Sequence, residues 1–298
     1  NFVPNSESQA SKKVLAALAA GLSDLTPETR KAATYVLENP FDVGVSSIRE
    51  IATYARVKPN TFVRMARSIG FEGYDDFRQP FREEIRQGRA NFPDRARWLQ
   101  SLSKGGKHDG LFADMASSAI HNIEQTFAAT NAQSIKAAAD AIVAARQTYV
   151  LGVGVNHALA RSFTYLADMA VDNVQAIPKD GNLAIDDLAR ANRKDVLLVM
   201  TFKPYRVEVL DGIEVAKQLG LTIIGISDSP ASPAITEAQH SFVVQTETPQ
   251  FFTSTFATGA MLETLIAFVI ADAGSDVIDN IRGFHERRRE LGIYTDES

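Results

Sequence analysis

Cysteine is absent from the 298 residues, which excludes disulfides, thiolate-held zinc and a cysteine nucleophile. Histidine is scarce: His108, His121, His157, His240 and His285 show no metal-ligand spacing among themselves or with the carboxylates. Neither a metal nor a cofactor is expected. No apolar run approaches the length of a membrane span, and the first residues lack the basic and apolar blocks of a signal peptide. The expectation is a cytoplasmic chain without membrane contact. Internal repeats and low-complexity tracts are also missing. What is present is enough chain for two domains, each with its own core.

The net charge of −5 averages two unlike halves. Residues 1–110 hold 17 Lys and Arg against 13 Asp and Glu, a net of +4, and residues 111–298 hold 14 against 23, a net of −9. Phosphate binding responds to the local field rather than the total, so nucleic acid is admitted for the first half and disfavoured for the second.

Within the basic half, residues 46–70 carry Arg49, Arg56, Lys58, Arg64 and Arg67 against the single Glu50. Ile48, Ile51 and Ala52 share one helical face. A second helix turns Phe62, Val63, Ala66 and Ile69 inward and leaves Asn60, Thr61, Arg64 and Arg67 outward. Ala55-Arg56-Val57-Lys58 has the length of a tight turn, Pro59 suits a first helical position, and Gly70 suits a left-handed stop. This is the form of a helix-turn-helix, with a surface helical hairpin as its bland alternative.

From residue 113 the pattern alternates. Strands are expected at 148–151, 174–177, 196–200, 221–226 and 242–244, with helices at 132–145, 156–170, 207–219 and 255–273. Such alternation means an α/β doubly wound parallel sheet of five strands, which binds ligands beyond the carboxyl ends of its strands. The expected organisation is a mobile segment at 1–21, a helix-turn-helix domain at 22–88 and a linker at 89–112. A sheet domain at 113–280 and a tail at 281–298 follow. The linker's most flexible point is placed at Ser103-Lys104-Gly105-Gly106-Lys107.

The first half resembles the helix-turn-helix domain of the RpiR/MurR transcriptional regulators. The resemblance rests on Leu25-Thr26-Pro27, Ser47-Ile48-Arg49-Glu50-Ile51-Ala52, Val63-Arg64, Ala66-Arg67-Ser68-Ile69-Gly70-Phe71 and Gly73-Tyr74-Asp75-Asp76-Phe77. The second half resembles the SIS (sugar isomerase) domain of those regulators, flavodoxin-like and binding phosphorylated sugars. It does so through Gly152-Val153-Gly154, Ala216-Lys217-Gln218-Leu219-Gly220 and Ile224-Gly225-Ile226-Ser227-Asp228-Ser229-Pro230.

The resemblance implies a regulator of carbohydrate metabolism genes, not an enzyme. A sugar phosphate or similar anionic metabolite would alter the affinity of a homodimer or homotetramer for a palindromic operator. Asn60, Thr61 and Arg64 are then the candidates for base edges, and Arg56, Lys58 and Arg67 for phosphates. Lys58 stands where the family usually has serine, which weakens the helix cap. The ligand candidates are Gly154, Asn156, Thr201, Lys203, Arg206, Ser227 and Ser254. Two loops depart from the family. Gly152-Val153-Gly154-Val155-Asn156 lacks the usual hydroxyl, and Thr201-Phe202-Lys203-Pro204-Tyr205-Arg206 replaces a Ser-x-Ser-Gly-x-Thr loop with cations around a proline. Lys203 and Arg206 would supply by charge what lost hydroxyls and amides supplied before. Two alternatives remain: a phosphosugar isomerase, for which Glu263 would be the first base to examine, and a DNA-binding protein whose SIS domain only dimerises.

Overall fold

The computed structural model describes residues 10–86, 92–104 and 106–294. It separates into two units, the first reaching residue 119 and including 247–254, the second holding 120–246 and the residues from 255 onward.

The first unit is helical: α1 (Ala10–Ala20), α2 (Pro27–Glu38), α3 (Pro40–Val45), α4 (Ile48–Tyr54), α5 (Pro59–Ser68), α6 (Tyr74–Arg86) and α7 (Phe92–Lys104), followed by α8 (His108–Ala128), which runs on past residue 119. Two starts are capped by their own residues. The Thr26 hydroxyl accepts the Thr29 N–H at 3.4 Å, with Pro27 in the first turn of α2. Ser47 caps α4 reciprocally with Glu50: the carboxylate accepts the Ser47 N–H at 2.8 Å and the Ser47 hydroxyl accepts the Glu50 N–H at 3.3 Å. Ser47→Ala is therefore expected to destabilise this unit by about 1 kcal/mol, read as a lower thermal midpoint with an unchanged native circular dichroism spectrum.

The core joins Val36, Ile51, Phe62, Met65, Phe77 and Phe81, and α1 contributes Val14 and Leu18. Residues 1–9 of the expected mobile segment lie outside the described residues. Residues 10–20 correct that expectation, because Val14 and Leu18, one helical turn apart, are both buried. The expected linker is corrected in the same way. Its residues 89–91 and 105 lie outside the described ones, but the rest forms α7 and the start of α8, and Arg95 and Trp98 are buried.

In the second unit the order is α9 (Ala132–Ala144), β1 (Thr148–Leu151), α10 (Val155–Ala167), β2 (Val174–Ile177), α11 (Ala184–Asp187), β3 (Val196–Met200), α12 (Val207–Leu219), β4 (Thr222–Ser227), α13 (Pro233–Thr236), β5 (His240–Val243), α14 (Phe256–Asp272) and α15 (Asp276–Glu290). The five strands are all parallel, in the order β2-β1-β3-β4-β5, with Leu151 beside both Ile177 and Val199. Val196–Met200 is buried at every residue, as a central parallel strand between two helical layers must be. One face packs Ile135, Phe163, Met261 and Leu265 of α9, α10 and α14. The other packs Leu188, Val209, Ile213 and Ala234, from the α11 to α13 side. Strand order reverses between β1 and β3, so their carboxyl ends flank the switch-point crevice.

The expected tail is helical through Glu290, and residues 295–298 lie outside the described ones. Within α15 the Arg288 guanidinium covers the Phe284 ring at 3.4 Å. Among the described residues no single helix is long and apolar enough to cross a membrane.

Candidate nucleic-acid and ligand sites

The turn between α4 and α5 is made by Arg56 in the left-handed region, φ +55°. That conformation lets the Val57 N–H reach back to the Ala52 carbonyl at 2.9 Å, so Val57 follows α4 at a fixed angle. Lys58 precedes α5 without a side-chain cap, and Pro59 carries the first turn instead. At the far end Gly70, φ +95°, places the Phe71 N–H on the Ala66 carbonyl at 3.1 Å.

Arg56, Lys58, Asn60, Arg64 and Arg67 are all exposed on this motif. Thr61 corrects the sequence expectation. It is 2 % exposed and shares the inner stripe with Phe62, Met65 and Ala66. Its hydroxyl meets Arg64 Nη2 at 3.5 Å, so it can steady that arginine but presents nothing to a base edge. Arg67 donates through Nε to the Glu72 carbonyl at 3.0 Å, which fixes its guanidinium along the end of the helix.

In the second unit two loops meet at the switch point. After β1 the chain turns through Gly152 and Gly154. A side chain at Gly152 would stand 2.3 Å from the Asn156 carbonyl oxygen, and Gly154 has φ +61° and ψ −130°, closed to other residues. His157 Nδ1 bonds the Gly152 carbonyl at 3.2 Å and tightens the same turn. After β3 the loop is braced from β4. Ser227 donates to the Thr201 carbonyl at 2.5 Å, and Asp228 accepts from the Lys203 N–H at 3.3 Å and the Tyr205 hydroxyl at 3.5 Å. Arg206 then opens α12. Its Nη2 pairs with Glu208 at 2.7 Å, while Nη1 lies 3.6 Å from where a Gly154 side chain would begin.

The geometry thus brings Arg206 to Gly154, and Lys203, in the same loop, is exposed as Arg206 is. Asn156, in the first turn of α10, is 7 % exposed, and its Oδ1 is buried without a hydrogen-bond partner. Thr201 is 3 % exposed. Ser227 is fully buried, and its hydroxyl is turned inward to the Thr201 carbonyl. Ser254 is 4 % exposed and groups with the first unit. Sequence reasoning missed the bracing role of Tyr205 and the pairing of Glu208, although an acid two residues beyond Arg206 in a first helical turn was a readable signal. Glu263 is exposed on α14. Among the described residues no cluster of three or more His, Asp or Glu could hold a metal ion.

Comparison with known proteins agrees with both halves. The family model described as a helix-turn-helix domain of the rpiR family matches residues 12–88, and that of the SIS domain matches 141–271. An uncharacterized HTH-type transcriptional regulator of Caldanaerobacter subterraneus is 24 % identical over 264 residues, 87 % of this chain and 88 % of that protein. The HTH-type transcriptional regulator HexR of Pseudomonas aeruginosa is 22 % identical, covering 76 % and 77 %. Among solved structures, the sugar isomerase domain of an RpiR transcription factor from Sphaerobacter thermophilus has a TM-score of 0.56 at 21 % identity, covering 59 % of this chain and 98 % of that one. The Vibrio vulnificus NanR protein complexed with ManNAc-6P has a TM-score of 0.55 at 19 % identity, covering 93 % and 98 %. With the two domains present in this order over a five-stranded parallel sheet, the chain belongs to the RpiR family of helix-turn-helix transcriptional regulators that carry a SIS domain.

Proposed function

We propose that this regulator controls carbohydrate metabolism genes and that its SIS domain senses a sugar phosphate or a similar anionic metabolite. Its place of action is then the cytoplasm, with the DNA. The observation that carries the reading is the approach of Arg206 to Gly154 at the β1/β3 switch point. Beside a side-chain-free turn the exposed guanidinium can present Nη1 to a phosphoryl group while Glu208 holds Nη2, and Lys203 adds a point charge. Next to that turn the buried Oδ1 of Asn156, an acceptor without a partner, suits a sugar hydroxyl rather than the phosphate. A two-fold dimer would set two copies of α5 on palindromic half-sites, with Asn60 and Arg64 reading base edges and Arg56, Lys58 and Arg67 on phosphates. Regulation requires the ligand to bind the DNA-competent and incompetent states with different affinity.

Calorimetric titration with a panel of sugar phosphates, ManNAc-6P included, tests the sensor. At least one is expected to bind saturably, and Lys203→Ala with Arg206→Ala is expected to weaken it at least ten-fold. Binding by no member of the panel, or an unchanged affinity in the double variant, overturns the assignment. On the DNA side, Arg64→Ala is expected to weaken operator binding by roughly ten-fold and relax sequence preference. Arg67→Ala should mainly flatten the salt dependence, by about one unit of slope. Equal losses on all sequences for both variants would remove Arg64 from base reading.

A further inference from the structure

We infer that the first unit contains a second anion site, a cavity of about 930 Å³ between α3, α4, α6 and α7 that takes a small multivalent phosphoryl anion. This site is independent of the sensor loop described above. Arg49, Arg78, Arg82, Arg97 and Lys107 line it against two carboxylates, Asp42 and Glu50. Both carboxylates are already engaged: Asp42 accepts from the Tyr35 hydroxyl at 2.5 Å, and Glu50 caps α4 through the Ser47 N–H.

Arg78 is the telling member. It is 8 % exposed, and its Nη2 donates to the Gly44 and Ser46 carbonyls at 3.3 and 2.9 Å. Its Nε is buried with no partner. The carboxylate facing it, Asp75 at 3.8 Å, has a side chain 92 % exposed to solvent and so compensates weakly. Burial first, and then the charge of Arg82, push its pKa down. A buried cation without a desolvated counter-charge is costly, and an anion entering the cavity would supply one. Arg49 and Arg82 form no ion pair among the described residues. Arg97 is held in place by Asp94 and by stacking over Phe41 at 5.6 Å.

A free small molecule fits better than a DNA phosphate. The lining excludes the exposed residues of α5, and the volume is that of a small-ligand cleft. Tyr54, 56 % exposed, gives the remainder of such a molecule an apolar wall.

Trp98, the single tryptophan of the chain, lines the cavity and reports on it directly. Titration of the full-length protein with inorganic pyrophosphate is expected to change Trp98 emission saturably, where sodium chloride at matched ionic strength does not. Arg82→Gln with Arg97→Gln should weaken that response at least ten-fold at an unchanged thermal midpoint, and Lys203→Ala with Arg206→Ala should leave it intact. If the first pair unfolds the protein, Arg49→Gln on the exposed face of α4 replaces it, with a weakening of about three-fold or more expected. A response equal to that of sodium chloride overturns the site. So does one lost with Lys203 and Arg206 rather than with the cavity arginines. Weakened duplex-DNA binding in the arginine variant, without any pyrophosphate saturation in the parent, also overturns it and reassigns the cations to the DNA backbone.

Discussion

Gly225→Ala is expected to lower the thermal midpoint of the sheet domain by roughly 10 °C, a loss above about 3 kcal/mol for a unit of this size. Gly225 lies inside β4, paired with Val199 of β3 and Ser241 of β5, so its backbone cannot move without breaking two ladders. A methyl group there would sit 1.6 Å from the Ala234 carbonyl oxygen and 2.7 Å from its carbon. Those atoms belong to α13, which packs directly on this strand, and no rotamer change can withdraw a carbonyl. The helix must shift outward and release Ala234 from the core. Differential scanning calorimetry checks the value. Because β4 ends in Ser227, which holds the Thr201 carbonyl, the sugar-phosphate response proposed above should fall in parallel. A midpoint within 2 °C of the parent would mean that α13 yields without cost.

The sheet was the most legible part of the chain. The apolar run at 196–200 and the strands at 148–151 and 174–177 fall where a buried parallel core dictates, because each is short, β-rich and bounded by turn residues. The inner face of α5 was read one position off. Thr61 was taken as polar and outward, yet its γ-methyl belongs to a buried stripe with Phe62, Met65 and Ala66, while its hydroxyl meets Arg64 at the margin. Residue polarity alone could not separate that register from the one built on Val63. Ser227 failed for a related reason. The end of a strand on the ligand side says nothing about rotamer, and this hydroxyl turns inward to a carbonyl. The helices at 10–20 and 92–104 were hidden by composition, since small alanines give little pattern in the first and arginine counts against burial in the second, where Arg95 is nevertheless buried.

Arg95→Met is expected to free residues 248–252 from α7, with amide exchange across that segment rising by two orders of magnitude or more. The arginine is 2 % exposed, and through Nη2 it donates to the carbonyls of Thr248 at 3.0 Å, Phe252 at 3.1 Å and Gln250. Burial pushes its pKa down to about 10, so at neutral pH the carbonyls still receive a full positive charge. Hydrogen bonds to a charged donor contribute about 1.5–3 kcal/mol each, and carbonyls left buried without it are costly, so a net loss of about 3 kcal/mol is expected. Partial rehydration of the segment and the retained Phe92–Phe252 ring contact at 4.8 Å set the upper limit. Arg95→Lys should fall between the two, because an ammonium keeps the charge but not the planar fork. The consequence for regulation follows from chain continuity. Residues 247–254 pack with the first unit, and the next residues lead into α14 of the sheet domain. Loosening that tether should leave the operator affinity and the proposed sugar-phosphate affinity within about three-fold while reducing the coupling between them, the only term through which one ligand can report on the other. Exchange rates unchanged at 248–252, or a coupling factor equal to that of the parent, would show that the signal travels without Arg95.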